Sequence, residues 1–164
     1  MAELSGQGVA VDLPSGWDGR IFRRSERGEA ATADGGQPAP RGATTHAVVH
    51  LANIPLPHAI GDFGSGAVEH LGAQDVLVVL FEYDPASAGA KLFSGQGLPR
   101  ALDADGFDPQ VLQRRLAGQA GAQLFFTEAD RAFSLYVVLG SYQNRTELVP
   151  IVNQVLETVR IDPR

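Results

Sequence analysis

The sequence predicts one α+β domain with an antiparallel sheet on which helices pack, among them a C-terminal amphipathic helix, and with helices or loops over both faces of the sheet. Two stretches, 75–84 and 132–140, are almost uninterrupted runs of apolar residues, which is typical of strands buried on both faces. Near the C-terminus, at 148–159, apolar residues instead recur at helical spacing. Strands that are buried on both faces require a layer on each side of the sheet. The length of 164 residues suits a single domain, which we place at 1–164.

Residues 8–24 favour a β-hairpin as the first element. Apolar residues alternate with small or polar ones before a Pro-Ser-Gly turn at 14–16, and Ile21 and Phe22 follow the turn. Trp17 comes directly after the turn, where a large aromatic side chain is expected to close one end of the core.

The segment 25–45 contains no large apolar residue. Ordering such a segment costs conformational entropy that no apolar burial offsets. The sequence therefore predicts a long exposed loop here, mobile at least in part.

The next stretch predicts a strand and a broken loop before the apolar run at 75–84. Residues 45–53 alternate as a strand, with His46 and His50 on the same face. Proline and glycine interrupt 54–66, which predicts a loop, and 66–72 is long enough for two helical turns.

The stretch that follows 75–84 is rich in loops and returns to the sheet near residue 121. Phe93 and Leu98 are isolated apolar residues within 85–107. Residues 121–127 favour a strand that turns at 128–131 into the apolar run at 132–140.

Two interpretations stay open for residues 108–116. Asp108 followed by Pro109 is typical of a capped helix start. The residues Gln-Val-Leu-Gln at 110–113 also fit an edge strand.

The strongest helical pattern lies near the C-terminus. Proline is tolerated in the first turn of a helix, so Pro150 predicts a start near 147–149. The apolar stripe is expected to pack on the sheet. It consists of Leu148, Ile151, Val152, Val155, Leu156 and Val159.

Composition and charge argue against several classes of function. Acidic residues outnumber basic ones by 19 to 13, for a net charge of -6, whereas a nucleic-acid-binding protein needs a basic face. The four arginines at 20, 23, 24 and 27 are interpreted as a solvated strand face, so we expect no nucleic-acid partner. Lys91 is the single lysine, and such arginine-rich, alanine-rich usage is typical of a GC-rich, for example actinobacterial, genome.

The absence of cysteine excludes disulfides, thiolate catalysis and cysteine-ligated metal sites from this chain. The first residues lack the basic start and apolar run of a leader, and the apolar run at 76–81 is too short to span a bilayer. We therefore expect a cytoplasmic protein with no membrane span, unless a leader has been removed.

The histidines and glycines do not form a recognised cofactor site. His46 and His50 lie four residues apart on one strand, a separation of about 13 Å, which is too long for ligands of one metal ion. The glycine-rich stretch 61–66 lacks the Lys-Ser/Thr of a phosphate-binding loop, and we interpret it as a turn in which Phe63 reaches the core. Glu82, at the end of its strand, is interpreted as an ordinary solvated carboxylate. The sequence predicts no cofactor and no metal.

Two motifs resemble the PsbP-like superfamily. They are Leu13-Pro14-x-Gly16-Trp17 near the start and Val155-Leu156-x-x-Val159-Arg160-Ile161 at the end. This superfamily has an antiparallel sheet covered by helices on both faces, and it includes photosystem accessory proteins, LpqN-like lipoproteins and chaperones for secreted effectors. The resemblance covers mainly 8–24 and 132–161. It implies a PsbP-like α/β/α sandwich and an accessory or binding role, and it carries over no functional residue.

We therefore expect a non-catalytic accessory protein, such as an adaptor, an assembly factor or a chaperone-like module, that binds another protein. Phe63, Phe93 and Leu98 are the candidate partner-binding residues because they are apolar residues within loops.

Two other functions stay open. One is a small-molecule-binding protein or small hydrolase with a pocket near residues 50–66, lined by His50, His58, Asp62 or Glu82. The other is a structural homo-oligomer, for example a homodimer, that associates through exposed edge strands.

Overall fold

A computed structural model describes residues 1–25 and 45–164, which form two antiparallel sheets and one C-terminal α-helix. Residues 26–44, most of the predicted loop, lie outside the described residues. The larger sheet has the strand order β3-β4-β5-β7-β6 and the smaller has the order β1-β2-β8. The elements are β1 (Ala2–Gly6), β2 (Val9–Leu13), β3 (Asp18–Ser25), β4 (Thr45–Ala52), β5 (Val76–Glu82), β6 (Ala120–Glu128), β7 (Arg131–Leu139), α1 (Arg145–Thr158) and β8 (Arg160–Ile161).

The two strands predicted from apolar runs are confirmed and lie side by side. β5 pairs with β7 in antiparallel register, with Val79 opposite Tyr136, and every residue of both strands is buried. Both strands therefore lie at the centre of the larger sheet. Because every one of their residues is buried, the pattern shows no alternation between apolar and polar positions.

Each face of the larger sheet has its own apolar core. On one face Val78 and Leu80 pack with α1 and with the smaller sheet. On the other face Leu77 and Val79 pack with the loops at 53–72 and 109–119. Both faces are therefore covered, as predicted, but the helices on both faces that the PsbP-like resemblance implies are present on one face only. Loops with short 3-10 turns cover the second face.

The predicted hairpin at 8–24 is wrong. β2 pairs instead with β1, through a turn in which Gln7 and Gly8 have φ of 54° and 75°. The turn after Leu13 is formed, since the Trp17 N–H donates to Pro14 O, but it carries the chain from the smaller sheet into the larger. Alternation identifies the strands, but it does not state which neighbours they pair with.

The short helices predicted at 66–72 and 108–116 are single 3-10 turns, Val68–His70 and Pro109–Val111. The Asp108 carboxylate does accept a hydrogen bond from Gln110 N at 2.7 Å, as expected of a cap. Backbone pairing between Asp108 and Gly121 holds the start of this turn against β6, so the segment also has part of the predicted edge-strand character.

The C-terminal helix is confirmed, but it begins at Arg145, before the predicted start at 147–149. Pro150 therefore lies in the second turn, where it leaves the carbonyl of Thr146 without its usual donor. Both residues are exposed, so water can bond that carbonyl. No helix among the described residues has both the length and the apolar character needed to cross a membrane.

Candidate functional site

Arg131 joins the two sheets through a fully bonded guanidinium group. Its side chain is 3% exposed, and all five of its N–H groups donate hydrogen bonds. Nε and Nη2 donate to the two carboxylate oxygens of Glu82, at 3.0 and 2.9 Å. The other donors reach the carbonyls of Gln7, Gly8 and Asp162 in the smaller sheet and its flanking turn. We call this arrangement the Arg131–Glu82 anchor.

Glu82 is structural and ionised. Burial alone would raise the pKa of Glu82, but the hydrogen bonds from Arg131, from Ala47 N at 3.0 Å and from Arg164 at 2.7 Å hold that pKa below its ordinary value. The interpretation of Glu82 as a solvated carboxylate is therefore wrong, because the side chain is 2% exposed and paired. A carboxylate with a lowered pKa is unsuited to act as a general acid near neutral pH.

A small pocket of about 210 Å³ opens beside the anchor. It is bounded by Glu82, Arg131, Arg164 and the turn between β6 and β7, where Ala129 and Asp130 have φ of 52° and 59°. The polar groups at its base already bond one another, so the pocket belongs to the structural anchor.

His50 lies on the opposite face of the larger sheet from Glu82. Its Nε2 is 2.8 Å from the carbonyl oxygen of Asp62, and its ring meets the ring of Phe22 edge-on. Its Nδ1 is buried and has no hydrogen-bond partner among the described residues. Burial lowers the pKa of His50, although the contact with Asp62 opposes the shift. The neutral imidazole is therefore the form that the fold stabilises.

The four side chains of the alternative pocket near residues 50–66 do not converge. His50 contacts the backbone of Asp62, whereas His58 is exposed and Glu82 belongs to the anchor on the other face. Across residues 1–25 and 45–164, no three histidine or carboxylate side chains are grouped closely enough to hold a metal ion.

The predicted partner-binding residues pack inward. Phe63 stacks on Phe81 with ring centroids 5.1 Å apart, and Phe93 packs against Tyr83. Leu98 is buried in the core shared with α1. These three side chains fix the loops that carry them to the sheet. Their role in binding a partner stays a prediction.

A cleft of about 620 Å³ opens at the end of the larger sheet where β7 ends and β5 and β6 begin. We call it the β7-end cleft. Its walls come from the segment between Pro109 and Gln119, the segment between Gly140 and Gln143, and Ala73. The described residues that line it are Ala73, Pro109, Gln110, Arg115, Leu116, Ala117, Gly118, Gln119, Gly140, Ser141, Tyr142 and Gln143.

Two glycines fix the backbone of the cleft. Gly118 has φ of 81°, a conformation that favours glycine, and its carbonyl accepts a hydrogen bond from Tyr142 N at 2.7 Å. At Gly140 a β-carbon would stand 1.8 Å from Gly72 O, so the two backbones approach too closely for any side chain. The bond between Tyr142 and Gly118 joins the two main walls, and the close approach at Gly140 places one of these walls against the backbone that leads to Ala73.

The side chains of the cleft offer hydrogen-bonding groups and an aromatic surface. Tyr142 is 37% exposed, and the guanidinium of Arg145 lies 4.1 Å from its ring centroid. Gln119 Nε2 donates to Val68 O at 2.8 Å, while its buried Oε1 has no partner among the described residues. Ser141 Oγ accepts a bond from Asn144 N at the start of α1.

Comparison with family models, with curated proteins and with solved structures finds no match to this chain. The candidate site therefore rests on its own geometry. Sequence reasoning missed it, since its walls are far apart along the chain and none of its residues belongs to a recognised motif. The two turns that frame it, at Gly118 and Gly140, are the one signal that the sequence offered.

Proposed function

We propose that the protein is a non-catalytic binding module that receives a segment of another protein in the β7-end cleft. The observation that carries this proposal is the cleft itself, whose lining combines amide and hydroxyl side chains with apolar residues and an exposed tyrosine. Tyrosine is enriched at protein interfaces because it combines apolar area with a polar group and has few rotatable bonds. A cleft that is open along one side suits a chain segment that continues beyond it at both ends.

The buried ionisable side chains have structural partners, and this also supports a non-catalytic role. Arg131 and Glu82 satisfy one another, and His50 has a lowered pKa and no carboxylate bonded to its ring nitrogens. A catalytic base must be a free proton acceptor that can reach the substrate. Neither buried site offers one.

The PsbP-like resemblance is part of this proposal. An antiparallel sheet with a C-terminal helix across one face is compatible with that superfamily, whose members are mostly accessory or binding modules. A cytoplasmic location also belongs to the proposal and rests on the sequence expectations given above.

A small-molecule ligand is the second candidate, because the cleft volume falls within the range of about 300–1,000 Å³ that is usual for ligand sites. The open form of the cleft favours the protein segment, since ligand sites normally bury most of the ligand surface.

Photocrosslinking tests the proposed function. A photoreactive phenylalanine analogue is placed at Gln143, on the cleft, and as a control at Ala101, which is exposed and does not line the cleft. We expect the analogue at 143 to crosslink one protein in native cells and the analogue at 101 to leave it free.

The crosslinked protein is then purified and titrated against the intact chain. Ala117→Trp, which fills the cleft from an exposed position, should weaken binding at least about tenfold, whereas Ala101→Trp should leave it unchanged. Equal affinity of both variants would refute the cleft as the binding site. The absence of any crosslink specific to 143 would refute the protein partner, and a thermal-shift screen of metabolites would then test the second candidate.

A further inference from the structure

The charge of the β7-end cleft is opposite in sign to that of the whole chain. The chain carries 19 acidic and 13 basic residues. Among the described residues that line the cleft, Arg115 is the only charged side chain, and none is a carboxylate. A second cation, Arg145, lies over the ring of Tyr142 at the rim. The charged groups on the lining and over Tyr142 are therefore cationic, and the carboxylate of Asp108, beside the lining, accepts a hydrogen bond from Gln110 N at 2.7 Å.

Arg115 has hydrogen-bonding capacity to spare. Its Nη2 makes one long bond, 3.4 Å, to Gln110 O, and it forms no ion pair with any residue of 1–25 or 45–164. The neighbouring Arg114 differs, since its Nε pairs with Glu69 at 2.8 Å outside the cleft. A guanidinium with free N–H groups is suited to bind a planar carboxylate through two parallel hydrogen bonds.

The uncharged groups of the cleft match a peptide rather than a free anion. The amides of Gln110 and Gln143 supply both donors and acceptors, as a peptide backbone requires of its partner. Gln119 is buried beneath the cleft and its amide donates to Val68 O, so the exposed amides of Gln110 and Gln143 are the ones that a bound segment can reach. Leu116 and the ring of Tyr142 provide apolar area for a neighbouring side chain.

We infer that the segment bound in the β7-end cleft is acidic, with a carboxylate paired to Arg115 and an apolar side chain packed between Leu116 and Tyr142. This inference rests on the proposed function. Charge complementarity selects this occupant: a basic segment would meet Arg115 and Arg145, and a neutral one would leave Arg115 unpaired.

A peptide selection tests this inference on the intact chain. Random ten-residue peptides displayed on phage are selected on the wild-type protein and, in parallel, on Ala117→Trp. We expect the peptides enriched on wild type alone to carry Asp or Glu close to a large apolar residue. The best of these is then synthesised in two forms that differ only by Glu→Gln or Asp→Asn at that position.

Two charge-matched variants give the decisive measurement. Against wild type we expect the carboxylate form to bind about tenfold tighter than the amide form, with affinity that falls as salt is raised. Arg115→Gln should abolish this preference, and Arg114→Gln, which removes the same charge one residue away, should preserve it.

The outcomes separate this inference from the proposed function. Peptides that need an open cleft but bind equally as carboxylate and amide would overturn the acidic segment and leave the cleft as a binding site. Loss of the preference in both arginine variants would overturn direct pairing with Arg115. Failure to enrich any peptide that distinguishes wild type from Ala117→Trp would overturn both.

Discussion

Two arginines sixteen positions apart serve different ends in this molecule. Arg131 is buried, and all of its N–H groups are bonded to Glu82 and to three backbone carbonyls. Arg115 stands on an open cleft with one long bond to a neighbouring carbonyl. A satisfied charge stabilises the fold and leaves nothing for a ligand, whereas an unsatisfied charge at a concave surface has capacity for a partner. The two arginines are the same type of residue, and they differ in how many of their N–H groups are already bonded within the protein.

Removal of Arg131 should have the largest effect. Arg131→Met leaves Glu82 buried without its bidentate partner, and we expect it to lower the free energy of unfolding by about 3–5 kcal/mol. Chemical denaturation measures the change. The double variant Arg131→Met/Glu82→Met should be more stable than Arg131→Met alone, because no unpaired charge then remains buried in the anchor. A double variant less stable than the single one would show that the charge pair is not what holds the anchor.

Gly140→Ala should come next. Its β-carbon would meet the Gly72 carbonyl at 1.8 Å, so one of the two backbones must move, at a cost of about 1–3 kcal/mol. Gly118→Ala is the matched control on the other wall, because a β-carbon there meets nothing within 4 Å. Its cost should come from the positive φ alone and be about 1 kcal/mol. Thermal denaturation of both variants compares them. Equal losses would mean that the close approach at Gly140 is not a constraint on the cleft.

The pH dependence of stability should separate the two faces of the larger sheet. Burial lowers the pKa of His50, so at pH values below the ordinary 6.5 the unfolded chain binds a proton that the folded chain does not. The contribution of His50 to the free energy of unfolding should be constant above about pH 7. Below pH 6.5 the free energy of unfolding should fall by up to about 1.4 kcal/mol per pH unit, until the pH reaches the lowered pKa of the folded state. The groups that act on the imidazole are Asp62, whose charge opposes this shift, and Arg20, whose charge adds to it.

Denaturation curves at pH 7.5 and 5.5 measure this effect, with His50→Gln as the comparison. The variant should lose most of the slope between the two pH values, and an unchanged slope would exclude His50 as its source. Glu82 acts in a different window, because its lowered pKa contributes stability above 4.5 that is lost as the pH falls further.

The smallest effect on stability is expected at Arg115. Arg115→Gln should change the free energy of unfolding by less than about 0.5 kcal/mol, as is usual for an exposed side chain without strong partners. The same denaturation assay should therefore give almost no loss of stability for Arg115→Gln and a large loss for Arg131→Met. A large loss in Arg115→Gln would place that residue with the structural arginines.

The sequence predicted those parts of the fold that depend on local pattern. Continuous apolar runs located β5 and β7, and helical spacing located α1. Alternation does not state which neighbour a strand pairs with, so the prediction of a hairpin at 8–24 is wrong, and β1, the actual partner of β2, was not predicted. The exposed pattern of Ala2–Gly6 gives no strand signal of its own.

The candidate site was less accessible to sequence reasoning. Glu82 looked like a terminal carboxylate because Arg131, its partner, lies 49 positions away. The β7-end cleft combines three segments that only the sheet topology brings together. Phe63 and Phe93 were predicted to bind a partner, and they pack on the sheet, because a sequence cannot state whether an apolar loop residue faces a partner or the core beneath it. Their role in binding stays a prediction.

The position of the anchor along the chain has a consequence for the order of folding. Arg131 bonds the carbonyls of Gln7 and Gly8 at one end and Asp162 at the other, and β2 pairs with β8 across some 150 residues. Contacts of such high sequence separation form slowly, because a long loop must close before they form. The β1–β2 hairpin can therefore pair with β8 during synthesis only after residues 160–162 have left the ribosome, whereas its packing on β3, β4 and β5 needs only segments made earlier.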